Sequence, residues 1–572
     1  MKNVILTILS YLFFIGIASG QLTFEEVSQQ WNITESEFST GVAILDLDGD
    51  EINEILFVNV NTQSRLYKWN GSFYDEVSDI YGVQESDTHL NITVADVNKD
   101  RFPDFFISGD PDQSGRFYVN NGMPPLFEMS NEYNLRNTFG PGSAFFQMLS
   151  NGAITVLTGT QLMVLQGGTF VNIAEGSGFE GLENVRTPLF FDLDGDIDDD
   201  IFIAHNWECN DGSLFRNNGD GTFTDITYNT DEQGFGYGQG VTFGDIDNDG
   251  DFDLYLTSGF GENSMWANDG TGYFENITDY TNTGVGGYSR GAAFGDFNND
   301  GYLDLFVNRG TATNILFMNN GLGSFYDYSE QAGVMDVYNG AGCAVGDLNN
   351  DGHLDIVAAN LDYHRNLAYI NQSEDTSFIK VKLVGQYRNT LALGAILKLY
   401  SFDDEQEVIV GMREISSLSS IYSVNELTAH FGTGNHEDLG LRVVFKSMAI
   451  VDTAGLRPGQ TIVIYEPGVV SIDEPEPKLP YQTLIIDAYP NPFNNSIAIN
   501  ISNGSSDIYD LKIYNVLGRL VRKTQIRNTN PSSVKFIWNA TDDYGQYVPS
   551  GLYFVNVVNG DDKTVKKVIL LK

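Results

Sequence analysis

The sequence predicts an all-β protein, with a seven-bladed β-propeller over residues 21–376, a small β domain over 377–466 and a C-terminal β-sandwich over 487–572. Three observations carry this. An acidic pattern returns at a near-constant interval through the first two-thirds of the chain. Asn-Gly and related turns fall between short strand-like runs. A proline- and acid-rich stretch at 467–486 then separates a final segment of different charge. The 572 residues hold 77 Asp+Glu against 31 Lys+Arg, a net charge of −46, which argues against nucleic acid as a partner because phosphate binding needs a basic surface. With 42% hydrophobic and 13% aromatic residues, the chain is too apolar for an acidic disordered segment. Two cysteines cannot staple a fold this large, and six histidines argue against a multi-histidine metal centre.

Residues 1–20 read as an export signal: Lys2, an apolar run from Val4 to Ile17, and Ala18-Ser19-Gly20 before the cut, leaving a mature chain from Gln21. That run is short for a membrane span, and no later stretch approaches the ~18–20 apolar residues a span needs. No transmembrane anchor is expected in the mature chain.

Six segments then share one pattern: DLDGDEINEI from Asp46, DVNKDRFPDF from Asp96, DLDGDIDDDI from Asp192, DIDNDGDFDL from Asp245, DFNNDGYLDL from Asp296 and DLNNDGHLDI from Asp347. Their starts lie 50, 96, 53, 51 and 51 residues apart, so a degenerate copy belongs in the double-length gap. The run Gln147–Thr155 aligns there position for position, without the carboxylates. Seven copies at this spacing indicate a solenoid, propeller or array. In the copy around Asp296, strands are expected at 291–297, 303–308, 314–319 and 324–329, with the turn Asn320-Gly321 between the last two. Four antiparallel strands per copy give a propeller blade. The last copy lacks its fourth strand, and Leu22–Ser28 matches the fourth strands of other copies, so the N-terminal strand is expected to close the ring.

Within each acidic run, Asp, Asn or Glu occupies positions 1, 3, 5 and 9. Hard oxygen ligands at alternate positions of a tight turn can wrap one calcium ion, whereas crowding carboxylates without a cation is costly. An EF-hand needs an acid at position 12 and flanking helices; here Leu256 and Val307 stand at that position and the flanks are strands. These copies resemble FG-GAP (VCBS-type) repeats, as in integrin α-subunit propellers and many bacterial secreted propellers. The resemblance implies a calcium ion between the first two strands of a blade, up to six in all. By position, the ligands it implies are Asp46, Asp48, Asp50 and Glu54; Asp96, Asn98, Asp100 and Asp104; Asp192, Asp194, Asp196 and Asp200; Asp245, Asp247, Asp249 and Asp253; Asp296, Asn298, Asp300 and Asp304; and Asp347, Asn349, Asp351 and Asp355. Position 6, often Gly, is Glu51, Arg101 and Ile197 in three loops, where a strained or weaker turn is expected. The degenerate copy is expected to bind no metal.

Residues 377–466 are strand-rich without the repeat. Gly394-Ala395, Ser416–Ser423, His430-Phe431-Gly432 and Gly459-Gln460-Thr461 resemble the ASPIC/UnbV domain that follows such propellers in bacterial proteins and in the cartilage acidic proteins. Residues 481–572 carry 10 Lys+Arg and 7 Asp+Glu, so the acid lies upstream. Tyr489–Asn494, Leu511–Gly518, Trp538-Asn539, Asp543–Tyr553 and Lys566–Lys572 alternate strands with Gly and Pro turns. This run resembles the type A C-terminal sorting domain of the type IX secretion system. The resemblance implies an Ig-like fold, an encounter with the type IX machinery, and a secreted or outer-membrane-surface location after Sec signal cleavage.

No catalytic constellation stands out. Gly287-Tyr288-Ser289-Arg290-Gly291 matches G-x-S-x-G but precedes a strand, whereas a nucleophile elbow joins a strand to a helix. Cys209 and Cys343 sit in non-adjacent copies and read as two free, largely buried thiols. The functional expectation is a non-enzymatic calcium-binding module that binds or adheres to an extracellular glycan or protein. The alternatives are a secreted polysaccharide-processing enzyme with a cleft on the propeller face, and a structural surface-layer component.

Overall fold

The computed structural model describes residues 22–468 and 485–571, with breaks at 35, 84–88, 110–114, 123–125, 131–132, 134, 136–142, 149–152, 160, 180–184, 206–211, 233, 237, 387–388, 404–405, 490–492, 495, 503–507, 516–518, 528–533 and 560–561. The export signal, Cys209 and most of the proline-rich stretch lie outside the described residues. The chain up to Val469 forms one compact unit, and Val470 onward forms another.

Seven four-stranded antiparallel sheets make up the repeat region. Their first strands are Ser39–Leu45, His89–Ala95, Ser143–Met148, Val185–Phe191, Gly240–Gly244, Ser289–Gly295 and Gly340–Gly346. Each lies against the next and the last lies against the first, so they ring a central channel. Burial grades outward. In blade 1, Ser39–Leu45 and Glu54–Asn59 are buried throughout, whereas in the outermost strand Tyr74–Glu76 only Tyr74 is buried. This is the signature of sheets packed face to face, with only the rim in water.

The ring closes as expected. Phe24–Glu26 pairs antiparallel with the third strand of blade 7, Phe24 opposite Asn371 and Glu26 opposite Tyr369. Phe24 is buried, its ring 5.8 Å edge-on from that of Phe297 in the neighbouring blade.

The degenerate third copy keeps the register of the others. Phe146 pairs with Thr155 as Leu45 pairs with Glu54 in blade 1, so eight residues lie between the two in both blades and the position-for-position alignment holds. Without the carboxylates the ladder runs two rungs further, to Met148 opposite Ala153, which makes Gln147 a strand residue opposite Ile154.

The small β domain is not a separate bead. Its strands Phe378–Val384, Ala429–Gly432 and Gln460–Tyr465 form one sheet, and Ile396–Asp403, Gln406–Glu414, Leu439–Val444 and Ile450–Leu456 form another. Ile379, Leu397, Phe431 and Leu441 share one hydrophobic cluster with Phe106, Phe117, Val156 and Phe170 of blades 2 and 3. A core this continuous favours one cooperative unit over two hinged domains.

The serine-rich stretch 416–423 enters the propeller channel. Inner strands present unpaired backbone groups to the channel; this segment and the adjoining Val424 and Asn425 bond five blades, four of them through such backbone groups. Val42 N–H donates to Ser423 Oγ (3.3 Å), Ala292 N–H to Ser420 Oγ (3.2 Å) and Val345 N–H to Asn425 Oδ1 (3.0 Å). Thr93 Oγ1 donates to Ser417 O (3.0 Å), and Ser417 Oγ to Phe145 O (2.5 Å). Val424 adds a parallel bridge to Ala43. Gly41 and Gly342 make the room: a Cβ on Gly41 would stand 1.9 Å from Tyr422 O, and one on Gly342 would stand 2.2 Å from Ser423 Oγ.

In the second unit, Ile485–Tyr489, Ile497–Ser502 and Val534–Trp538 form one sheet. Leu520–Arg527, Ile508–Asn515, Gly551–Asn559 and Asp562–Leu570 form the other. Trp538, Phe493 and Tyr553 lie in their shared core, as a β-sandwich requires.

Candidate functional site

The six acidic runs all fall in the connection between the first and second strands of a blade, flanked by strands and not by helices. One hydrogen-bond plan repeats in each. The position-1 carboxylate accepts the backbone N–H groups of positions 5 and 6, as Asp245 does from Asp249 and Gly250 (both 3.1 Å). The position-5 carboxylate accepts the N–H of position 7, as Asp300 does from Tyr302 (3.0 Å). The position-9 carboxylate accepts the N–H of position 2, as Asp355 does from Leu348 (2.8 Å). Position 6 is left-handed throughout: φ is 99°, 97° and 90° at Gly250, Gly301 and Gly352, but also 68°, 74° and 79° at Glu51, Arg101 and Ile197. The strain expected at those three positions is therefore present, and it is greatest for β-branched Ile197.

Three loops bring carboxylates together as a metal ion requires. Asp46, Asp48 and Asp50, then Asp192, Asp194 and Asp200, then Asp245, Asp247 and Asp253 each offer oxygens within 4.8 Å of one another. Asp194 Oδ1 is buried without a hydrogen-bond partner and so has capacity for a cation. Asp48 Oδ1 also lacks a hydrogen-bond partner, but a lysine ammonium already stands 2.8 Å from the other oxygen of that carboxylate. An all-oxygen set of this kind suits a hard ion. In the other three loops position 3 is Asn, and its amide donates to the position-5 carboxylate: Asn98 to Asp100 (3.0 Å), Asn298 to Asp300 (3.0 Å) and Asn349 to Asp351 (2.8 Å). Those loops quench part of their own repulsion.

Burial is the main electrostatic stress. It pushes Asp245 up to about 7, with Asp249 and Asp247 adding to the effect, and pushes Asp192 up to about 6 against the opposing pull of Lys446. Asp104, Asp200, Asp253, Asp304 and Asp355 are held well above the usual carboxylate range, again by burial first. A buried carboxylate raised by desolvation gains most from a cation beside it.

Sequence reasoning missed an asparagine at the end of the third strand. Asn120, Asn217, Asn268, Asn319 and Asn371 each donate their backbone N–H to the position-9 Asp, at 2.7 to 3.0 Å. Four of them also reach back to the preceding blade, as Asn319 Nδ2 does to Ile246 O (2.8 Å). The signal was available, since Asn recurs 15 to 17 residues beyond the position-9 Asp of five acidic loops. Blade 1 has Trp69 there instead.

The β domain covers this loop face. Lys380 Nζ lies 2.8 Å from Asp347, Lys382 Nζ 3.4 Å from Asp46, and Lys446 Nζ 2.5 Å from Asp199. Lys398 donates to Gly250 O (3.1 Å), Thr390 bonds Asp96, and Arg413 faces Asp296 and Asp245. His430 Nε2 meets Gly352 O at 3.0 Å, so every acidic loop touches the domain. In the first loop a propeller residue also enters: Lys68 Nζ stands 2.8 Å from Asp48, 2.9 Å from Asp50 and 2.7 Å from Glu54.

Of the residues outside the loops, Ser289 starts the inner strand of blade 6 and accepts Asn263 Nδ2 at 3.0 Å. Cys343 is buried with a free thiol.

Residues 46–107, 192–256, 252–307 and 296–358 match the family model of the FG-GAP-like repeat. These loops belong to FG-GAP-like repeats. The matches leave out the third blade, the one whose first hairpin lacks the carboxylates. Residues 487–571 match the secretion system C-terminal sorting domain, which marks the chain for type IX export to the outer-membrane surface or beyond. Among the described residues, no helix is long and apolar enough to cross a membrane.

Cartilage acidic protein 1 of Xenopus tropicalis is 24% identical over 436 residues, covering 71% of this chain and 61% of that protein. The proteins of the same name from Mus musculus and Homo sapiens are 32% and 30% identical over 154 residues, 25% of this chain and 22% of each. The chain thus spans less than two-thirds of each relative. A crystal structure of BBS1N in complex with ARL6DN aligns with a TM-score of 0.37 and 11% identity over 59% of this chain and 94% of that one.

Proposed function

We propose that this FG-GAP-like protein is an exported, calcium-loaded propeller that acts as a non-enzymatic binding module for an extracellular glycan or protein. Its ligand surface is the propeller face opposite the acidic loops. One observation carries this: the loop face lies under the β domain and the channel is filled by residues 416–424, which, among the described residues of the first unit, leaves the far face as the open one. The connections on that face hold Phe260 at 72% and Tyr363 at 67% exposure, with Tyr288 beside Phe260 and Arg290 stacked on Tyr288 at 4.4 Å. Exposed aromatic rings stack on sugar rings and anchor protein interfaces. Calcium in the loops then serves structure, tying the propeller to the domain above it, while the Ig-like tail serves export.

Two measurements test this reading. A screen of the full chain against glycans and matrix proteins should find a ligand whose binding falls at least tenfold in Phe260→Ala or Tyr363→Ala, with melting unchanged. Binding indifferent to both substitutions removes the proposed face. For the metal, chelation should lower the melting temperature, because an ion bound only to the native state stabilises it; an unchanged melt sinks the calcium reading.

A further inference from the structure

The first acidic loop departs from the others at three places at once. Position 9 is Glu54 where the others have Asp, the third strand ends in Trp69 where the others have Asn, and the residue before it is Lys68. The residues equivalent to Lys68 are Val119, Ala267, Met318 and Ile370 in four of the other acidic blades, and in blade 4 Arg216, which is exposed. These departures fit together. Lys68 Nζ reaches Asp48 Oδ2, Asp50 Oδ2 and Glu54 Oε1 at 2.8, 2.9 and 2.7 Å. The ammonium has three protons and meets three carboxylates. Glu54, one methylene longer than Asp, meets the ammonium with Oε1 and still accepts Leu47 N–H at Oε2 (2.8 Å). The two jobs of the ninth position are thereby kept, with Lys68 replacing the asparagine N–H as the second donor.

We propose that the chain's own ammonium groups replace calcium in the first loop: Lys68 stands among the carboxylates and Lys382 stands outside, on Asp46. The two lysines carry the charge of one calcium ion against the same four carboxylates, Asp46, Asp48, Asp50 and Glu54. Calcium needs its oxygens at about 2.3–2.6 Å, and the point that Asp48, Asp50 and Glu54 converge on already holds a nitrogen. Loop 4 shows the contrast. There Asp192, Asp194 and Asp200 converge with no ammonium in salt-bridge contact among the described residues: Arg216 and Lys446 act on Asp194 and Asp192 through longer-range attraction, and Lys446 bonds the backbone oxygen of Ile197 and pairs with Asp199. Blade 1 stands at the closing seam of the ring, where Asn53 Nδ2 donates to Asp347 O of blade 7 (3.2 Å). Self-supplied charge lets that seam form without metal.

This inference rests on the calcium reading of the other loops, and calcium stoichiometry separates the two. The full chain and its Lys68→Met variant are dialysed to equilibrium against calcium, and bound ions per chain are counted. The variant should bind one ion more than the wild type. Equal, non-zero numbers overturn the ammonium proposal and leave the calcium reading standing. No ion on either chain overturns both. Should Lys68→Met fail to fold, Ala267→Lys in blade 5 reads the same question in reverse: one ion fewer is expected, and an unchanged count overturns the proposal.

Discussion

Asp253→Ala separates what the ninth-position carboxylate does for the blade from what it does for a metal. Asp253 is 3% exposed, and it accepts Ile246 N–H at 3.1 Å and Asn268 N–H at 3.0 Å. Alanine leaves both donors buried and unpaired, at about 1–3 kcal/mol each, so the loss should be about 2–6 kcal/mol before any ion is considered. Asp247 in the same loop is exposed, and truncating it should change metal-free stability by no more than ~0.5 kcal/mol. Urea unfolding in chelator, followed by tryptophan fluorescence, reads the difference locally, because buried Trp266 pairs with Leu254 beside the site. In excess calcium the loss from Asp247→Ala should grow, since a ligand has gone. If the two variants unfold alike in chelator, the dual role assigned to position 9 is wrong.

Ile197 holds φ at 79°, where loops 5 to 7 have Gly, so Ile197→Gly should raise stability by about 1 kcal/mol in thermal melts; a loss would mean that its side-chain packing outweighs the strain. Phe24→Ala should cost about 3–5 kcal/mol and open the ring at its seam, seen as proteolytic release of the N-terminal strand. In chelator, Asp192 and Asp245 titrate near 6 and 7, above the ~4 of an unfolded Asp. A raised folded pKa stabilises fully below the unfolded value and loses that contribution as pH rises through the folded one. The metal-free melting temperature should therefore fall between about pH 4 and 7 and the calcium-saturated one should not; parallel profiles would refute the assignment.

Much of the fold was legible because its determinants are local. Asp at positions 1, 5 and 9 bonds backbone groups within eight residues, so the loop carries its own folding instructions, and six copies of it announce the blades. The closing strand was readable from Phe24, which repeats the buried aromatic of other fourth strands such as Tyr74. The third copy was readable by position, since Phe146 pairs with Thr155 as Leu45 does with Glu54; what the alignment did not show is that the strands, freed of the carboxylates, pair two rungs further, to Met148 opposite Ala153. Ser416–Ser423 was visible as a motif, but its partners Val42, Thr93, Phe145 and Ala292 lie far away in the sequence, and nothing near the serines names them.

The sequence by itself determined the repeat, the blade count, the acidic loops and the export tail, all written in short-range periodicity and turn chemistry. Tertiary structure alone decided which face of the propeller is covered, what fills its channel, and which cation meets which loop. Those outcomes depend on burying apolar surface and pairing desolvated charge between segments hundreds of residues apart, as Lys382 does with Asp46, and such pairings have no period to read.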